Sequence, residues 1–240
     1  MVGEYTKIAW YICSELKMHV LKKEILHTSD GSNTLYVPEL DETYHSINGA
    51  LQESMHVFIK EGLQYFALKN TAILEVGFGT GLNALTTYAC AASSDLNIKY
   101  TSLEGYPLSW DTVAKLKYNT LEGLQGHEIA FKEMHTCDWE EARLITPNFS
   151  LRKLNLKLQD LTLENEFDVI YFDAFAPQIQ PELWTEAIFV LLYKALKPKG
   201  VLVTYCAKGS VKRVLKSVGF HLQSIPGPPG KREMSRALKF

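Results

Sequence analysis

Glu75-Val-Gly-Phe-Gly-Thr-Gly-Leu-Asn83 decides how this chain is read. The apolar run Ala72-Ile-Leu74 leads into it and Ala84-Leu-Thr-Thr-Tyr-Ala89 leads out. A buried strand therefore runs through a glycine-rich turn into a helix. Glycine has no Cβ, so such a turn reaches φ values that other residues avoid, and its backbone lets a ligand come close. The N–H groups that open the helix favour polar or anionic groups. The glycines fall at 77, 79 and 81. A dinucleotide fingerprint needs its third glycine one place later, where Leu82 stands.

Outward from that turn, strand and helix patterns alternate. The spacing predicts a strand over Ala72–Val76, a helix over Leu82–Ala92, a strand over Ile98–Leu103 ending at Glu104, and a helix over Trp110–Tyr118. Segment 121–153 reads as irregular, with short helical pieces near 122–134 and 139–145. Leu154–Leu158 alternates as a strand reaching Asp160, and Phe167–Phe172 reads as a strand reaching Asp173. Pro181 and Glu182 open a helix through Leu196. Lys197–Gly200 is a turn, Val201–Tyr205 a strand, Val211–Val218 a helix and Phe220–Ile225 a strand. Pro226-Gly-Pro-Pro-Gly230 is a stiff loop before a closing strand. On the N-terminal side, Val20–Leu26 and Thr34–Val37 form a hairpin about Ser29–Ser32, and 48–67 carries helical spacing. Residues 1–17 match nothing that follows and read as an unstructured or foreign extension. The expected organisation is that extension, a hairpin-and-helix appendage over 18–67, and a main domain over 68–240. The alternation implies an α/β fold with a largely parallel sheet and right-handed crossovers. Ligands of such sheets lie beyond the carboxyl ends of the strands, near the switch in strand order.

Composition narrows the class. The 240 residues are 46% hydrophobic and 22% charged, which suits one large α/β domain and no disordered chain. No apolar run approaches the ~20 residues of a membrane helix. Cys13, Cys90, Cys137 and Cys206 form no C-x-x-C pair, and the seven histidines lack metal-ligand spacing. Neither a zinc site nor a disulfide framework is expected, and a reducing cytoplasm is. The net charge of −2 hides an asymmetry. Residues 197–240 hold ten Lys and Arg against the single acid Glu233, a net of +9, while the other 196 residues carry −11. That distribution suggests a polyanion-facing C-terminal surface; solvated basic faces are the alternative.

Four acids fall at strand ends: Glu75, Glu104, Asp160 and Asp173. The turn itself, G-x-G-x-G with an acid two residues before, resembles the nucleotide-binding turn of S-adenosylmethionine-dependent methyltransferases. In that setting Glu104 suits the paired hydroxyls of a ribose. Asp160 suits an adenine amine, with a turn-capping role open and Asp138 a rival for the same position. Asp173 begins Asp-Ala-Phe-Ala-Pro177, where Phe175 offers an aromatic wall and the prolines stiffen the loop. A charged residue there belongs to a site rather than to the core; an anion near the helix start at Pro181 is the other reading.

A wider set of segments resembles one family. Leu35-Tyr-Val-Pro-Glu-Leu40, Tyr44-His-Ser-Ile-Asn-Gly-Ala-Leu-Gln-Glu-Ser54, the glycine turn, Phe172-Asp-Ala-Phe-Ala-Pro177, Pro181-Glu-Leu-Trp184, Val211-Lys-Arg-Val-Leu215 and Gly230-Lys-Arg-Glu-Met234 occur in this order. Together they resemble the methyltransferase half of MnmC-type tRNA modification enzymes over about residues 20–240. The resemblance implies a Rossmann-like class I methyltransferase sheet with a small N-terminal hairpin and helix. It implies S-adenosylmethionine bound by Glu75, Gly77, Gly79, Gly81, Asn83, Glu104 and Asp160, with Tyr44, Ser46 and Glu53 near the donor. Asp173 and Phe175 then stand at the acceptor. The implied reaction is N-methylation of 5-aminomethyl-2-thiouridine at the tRNA wobble position. The anticodon stem-loop would rest on Lys231, Arg232, Lys212, Arg213 and Lys216. No metal is expected, and no flavin-dependent oxidase half accompanies this sequence. Two departures stand out: Ala174 where many members carry Gly, and His45 where they carry Phe.

Methyl transfer from a sulfonium needs an unprotonated amine aligned behind the methyl, so catalysis is expected to come mainly from positioning. Two rival classes remain at this stage. One is a transferase acting on a small-molecule amine, and the other is a non-catalytic RNA-binding module.

Overall fold

The computed structural model describes residues 21–66 and 68–240. The expected extension 1–17 therefore lies outside the described residues. Strands β1 (Glu24–His27), β2 (Asn33–Val37) and β3 (Glu42–Thr43) make a small antiparallel sheet. The expected hairpin has thus gained a third strand, which pairs Tyr36 with Thr43. Helix α1 (Ala50–Ser54) continues as a π-helix over Met55–Leu63 and closes with Gln64–Phe66. Its Gly62 lies so close to the sheet that a Cβ would sit 3.0 Å from Val203 and 3.1 Å from Tyr171. The wider π winding is not a feature that residue spacing reveals.

Next come β4 (Asn70–Val76), α2 (Leu82–Ala92), β5 (Asn97–Leu103) and a short α3 (Trp110–Val113). The chain continues through α4 (Glu128–Thr136), β6 (Ala142–Thr146), β7 (Phe149–Leu154) and β8 (Phe167–Phe172). It ends with α5 (Glu186–Ala195), β9 (Leu196–Thr204), α6 (Gly209–Val218), β10 (His221–Pro226) and β11 (Glu233–Leu238). The large sheet has the order β10-β11-β9-β8-β4-β5-β7-β6. Its centre, β9-β8-β4-β5-β7, is parallel, and its three outer pairings are antiparallel. The chain leaves β4 towards β5 on one side and returns to β8 on the other. The switch in strand order therefore lies at the carboxyl end of β4, directly under the glycine turn.

Pleating sorts the core into two layers. Ile73 and Tyr171 face one apolar cluster with Phe58, Leu85 and Phe149. Leu74, Ile170 and Phe172 face the other with Trp184, Phe189 and Leu215. Helices thus cover both faces, as the near-continuous apolar strands require.

Several expected boundaries move. Residues 142–146 form the edge strand β6 rather than a helical piece, because Pro147-Asn148 turns the chain back onto β7. Strand β7 is Phe149–Leu154, not Leu154–Leu158. Phe149, Leu151 and Leu154 are its buried apolar residues, and Lys153 is buried as well, 1% exposed. The helix expected over Trp110–Tyr118 narrows to a 3-10 turn after Val113 and ends at Lys117, whose φ is 55°. Pro181–Trp184 is a 3-10 turn before α5 rather than its first turn. The expected turn at Lys197–Gly200 is absorbed into β9, with an irregular register against β8.

Candidate functional site

A large cleft of about 1770 Å³ opens over the carboxyl ends of β4, β5 and β8. Its floor is the glycine turn. Gly77 N–H donates to Leu103 O at 2.9 Å, and Asp173 N–H donates to Val76 O at 3.0 Å, which stitches the turn to both neighbouring strands. Gly77 and Gly79 adopt φ of 92° and 50°. A Cβ on Gly77 would stand 2.6 Å from the Asp173 carbonyl oxygen, and one on Gly79 would stand 3.3 Å from the Tyr44 ring. Gly77 therefore makes room for the loop after β8, and Gly79 for the cleft wall. A Cβ on Gly81 would strike His135 Nε2 at 2.5 Å. Gly81 thus serves packing and does not line the cleft.

Glu104 closes the turn from the β5 side. Its Oε2 accepts Gly79 N–H and its Oε1 accepts Tyr106 N–H, both at 2.8 Å. Each carboxylate oxygen keeps lone-pair capacity beyond those bonds. Asp160 also lines the cleft, exposed, in the 3-10 turn Leu158–Asp160 rather than at a strand end. Two carboxylates thus frame a glycine floor. Those acceptors fit the hydroxyls of a ribose and the amine of an adenine, so the residues fit an adenosyl group.

Glu75 departs from the expectation. It is fully buried beneath the turn and faces no part of the cleft. Its Oε2 accepts the Ser102 hydroxyl at 2.7 Å. Burial, opposed by that hydrogen bond, pushes its carboxyl well above the usual range and so favours its neutral form. Asn83 also lies behind the cleft wall, 2% exposed. Its Nδ2 donates to Asp173 Oδ2 at 2.7 Å, and its Oδ1 accepts the Ser54 hydroxyl at 2.7 Å.

Asp173 stands at the β8 end of the cleft. Burial above all, and then the Glu53 carboxylate, pushes its carboxyl up to about 7, against the lowering pull of Asn83 and Lys231. The loop after it is pinned three times. Phe175 N–H donates to Gln180 Oε1 at 3.1 Å, Trp184 Nε1–H donates to Phe175 O at 2.8 Å, and Tyr205 O–H donates to Ala174 O at 2.9 Å. The Phe175 ring then meets the Tyr44 ring edge-on at 5.0 Å, forming an aromatic wall. Trp184 supports this wall from the core instead of lining the cleft.

The appendage supplies a second wall. Ser46 N–H donates to Glu53 Oε2 at 2.8 Å, and Lys231 Nζ reaches Glu53 Oε1 at 2.6 Å. His45 Nε2 bonds Thr80 Oγ1 at 2.7 Å, which ties the β3–α1 segment to the glycine turn. Burial lowers the His45 pKa to about 4, so the ring is neutral near pH 7. Histidine spacing gave no sign of this role; the only signal was its place between Tyr44 and Ser46.

The expected RNA-facing lysines and arginines separate. Lys231 and Arg232 line the cleft. Lys231 points inward, while Arg232 is exposed on the rim. Lys212 is held by Glu233 at 2.7 Å. Arg213 and Lys216 are exposed on α6, away from the cleft lining. Among the described residues no group of three or more His, Cys, Asp or Glu is placed to hold a metal, and no helix is long and apolar enough to cross a membrane.

Comparison with known proteins agrees with this geometry. Residues 129–240 match the family described as S-adenosyl-L-methionine-dependent methyltransferase. The tRNA 5-methylaminomethyl-2-thiouridine biosynthesis bifunctional protein MnmC of Cupriavidus necator is 31% identical over 221 residues, 84% of this chain and 32% of that protein. Its counterpart in Cupriavidus metallidurans is 30% identical over 229 residues, 89% of this chain and 33% of the relative. The chain thus spans about a third of the length of the curated relatives it matches. The crystal structure of MnmC2 from Aquifex aeolicus superposes with a TM-score of 0.70 at 26% identity, covering 90% of this chain and 70% of that one. A spermidine synthase shares the fold with a TM-score of 0.56 at 16% identity, covering 91% of this chain and 70% of its own. By sequence over most of its length and by its fold, this chain belongs with the S-adenosyl-L-methionine-dependent methyltransferases of the MnmC type.

Proposed function

We propose that this chain methylates the primary amine of 5-aminomethyl-(2-thio)uridine at the wobble position of tRNA, giving 5-methylaminomethyl-(2-thio)uridine. The observation that carries the reading is Asp173, a carboxyl titrating near 7 at the strand end beside the glycine turn. An alkylamine arrives largely protonated at neutral pH and attacks only as the free base. Bound S-adenosylmethionine supplies a methyl on a sulfonium, which is already a good leaving group. What the protein must provide is a proton acceptor and alignment. Asp173 is poised for the first, since a base is most effective when its pKa lies near the working pH. Asn83 fixes the orientation of its carboxylate. Tyr44 and Phe175 are the walls against which a uracil ring stacks. Gly79, Glu104 and Asp160 hold the adenosyl part, with Ser46 and Glu53 shaping the neighbouring wall.

The tRNA would approach over the basic C-terminal hairpin. Arg232 on the rim and the exposed Arg213 and Lys216 of α6 are the proposed phosphate contacts. The wobble base lies in a single-stranded loop, where turning it out of the stack costs little. A cytoplasmic site of action goes with that substrate.

The test is transfer of labelled methyl to tRNA carrying the aminomethyl group and to tRNA lacking it, followed by nucleoside analysis. Small alkylamines and polyamines serve as competing acceptors. Label in the wobble nucleoside of the aminomethylated tRNA alone is the expected result. Label only in a small amine, with neither tRNA modified, would overturn the reading.

A further inference from the structure

The cleft corner nearest Asp173 holds two carboxylates and one ammonium. Glu53 comes from α1, is 5% exposed, and spends one oxygen on Ser46 N–H and the other on Lys231. Lys231 comes from the loop between β10 and β11, 178 residues away in sequence. Its ammonium also lies 3.8 Å from the centroid of the Tyr205 ring. Its direction is fixed by the loop, not chosen by a free side chain. Gly230 has φ 83° and presses directly on the Asn48 side chain, where a Cβ would have no room. At the other end of the loop, Pro226 O is bonded by His56 Nε2 at 2.9 Å. Within it, Lys231 N–H donates to Pro228 O at 2.9 Å. A lysine that serves RNA phosphates needs to reach solvent. This one keeps its side chain 33% exposed, yet a loop docked at both ends directs its ammonium onto Glu53.

We propose that Lys231 is an internal counter-ion shared by Glu53 and Asp173, a positioning residue for amine transfer and not a phosphate contact. Two carboxylates lining one cleft corner repel, and an ammonium in that corner eases the ionisation of Asp173. The groups that interact with Asp173 are Glu53 from α1, Lys231 from the β10–β11 loop, Asn83 from α2, Glu75 from β4, Tyr100 from β5 and Tyr205 beyond β9. His45, which faces Glu53 and Lys231, is neutral near pH 7. Burial favours the neutral form of Glu75. Lys231 is therefore the cation that answers the charge of Glu53 in this corner. The inference rests on the proposed role of Asp173 as proton acceptor. Lys231 then sets that residue's working range through charge.

The experiment follows the Asp173 carboxyl directly, by carbon NMR of the full chain labelled with carboxyl-13C aspartate and assigned with Asp173→Asn. In Lys231→Met the Asp173 midpoint is expected to rise by about one pH unit, and in Glu53→Gln to fall by about the same amount. The double variant is expected to return close to the unmodified protein. Lys231→Arg is expected to keep the midpoint. In parallel, the salt dependence of tRNA binding is expected to be unchanged in Lys231→Met. In Arg232→Met the log–log slope is expected to drop by about one. A midpoint that stays put in Lys231→Met, or in Glu53→Gln should the first variant fold poorly, would overturn the proposal. So would a lowered salt slope in Lys231→Met. The titration needs neither tRNA nor methyl donor, so it decides the counter-ion even if wobble methylation itself is refuted.

Discussion

Asn83 presents its Nδ2 to Asp173 Oδ2 at 2.7 Å because its Oδ1 is already committed to the Ser54 hydroxyl, also at 2.7 Å. Ser54 is in turn within 2.9 Å of Thr86 Oγ1. The amide cannot flip without losing both bonds, so it always offers a donor to the carboxylate. Replacing Asn83 by Leu removes a hydrogen bond to a charged group, worth about 1.5–3 kcal/mol when buried. Turnover is expected to fall at least about tenfold, and the acid limb of its pH profile to move to higher pH. Steady-state kinetics across pH 5.5–9 checks both. A lower rate with an unshifted limb would leave Asn83 a packing residue only.

Asp173→Asn keeps the shape of the corner and deletes the proton acceptor. The expected loss in turnover is roughly a hundred- to ten-thousand-fold. The affinity for S-adenosylmethionine, measured by calorimetry, should remain within a few-fold. A matching loss in affinity would instead tie Asp173 to the donor.

The turn predicts opposite outcomes for neighbouring glycines. Gly77→Ala drives a Cβ against the Asp173 carbonyl at 2.6 Å and strains a φ of 92°. A loss of about 1–3 kcal/mol in stability by chemical denaturation is expected, since backbone strain of that kind cannot relax locally. Gly79→Val instead projects into the wall beside Tyr44. Its main effect should be lost donor binding with a smaller change in stability.

His45 gives a pH signature. Its folded-state pKa, lowered to about 4, lies below the ordinary value near 6.5. The unfolded chain takes up a proton below pH 6.5 that the folded one refuses, so His45 costs stability as pH falls from about 6.5 to 4. Asp173, raised to about 7, acts in the opposite sense over the whole of that range, so the two groups offset each other in the net curve. The difference is diagnostic. His45→Phe should gain thermal stability relative to the unmodified protein as the pH falls from 7 to 4.5. A constant difference in melting temperature across that range would refute the assignment.

Much of this site was legible because its signals are local. The glycine spacing, Glu104 at the end of β5 and Asp173 at the end of β8 all depend on one strand followed by one turn. Strand ends converge wherever a parallel sheet switches direction, so three local readings predicted one cleft. What the spacing missed depends on partners far along the chain. Lys231 reads as a surface cation until Glu53 is seen beneath it. Glu75 reads as a ligand until Ser102 on the neighbouring strand is seen to take its oxygen. Lys153 made β7 look irregular because a lysine at an inward position breaks the apolar alternation. Its Nζ is satisfied by His135 O at 3.0 Å and lies 4.7 Å from the Trp139 ring centroid, neither of which spacing discloses. The π winding of α1 likewise follows from the fit of Gly62 to the sheet, not from propensity.

The ion pair between Glu53 and Lys231 joins α1 to the final hairpin across 178 residues of sequence. Closing so long a stretch of chain is entropically demanding, and contacts of this kind form late. The glycine turn and the β4–β5 pair beside it come from segments close in sequence, whereas the charge balance of the cleft waits for the final hairpin to dock. A partly folded or clipped molecule would then hold the cradle for the nucleoside and still lack the electrostatic setting for proton removal. Binding without turnover is the state such a protein should pass through on its way to activity.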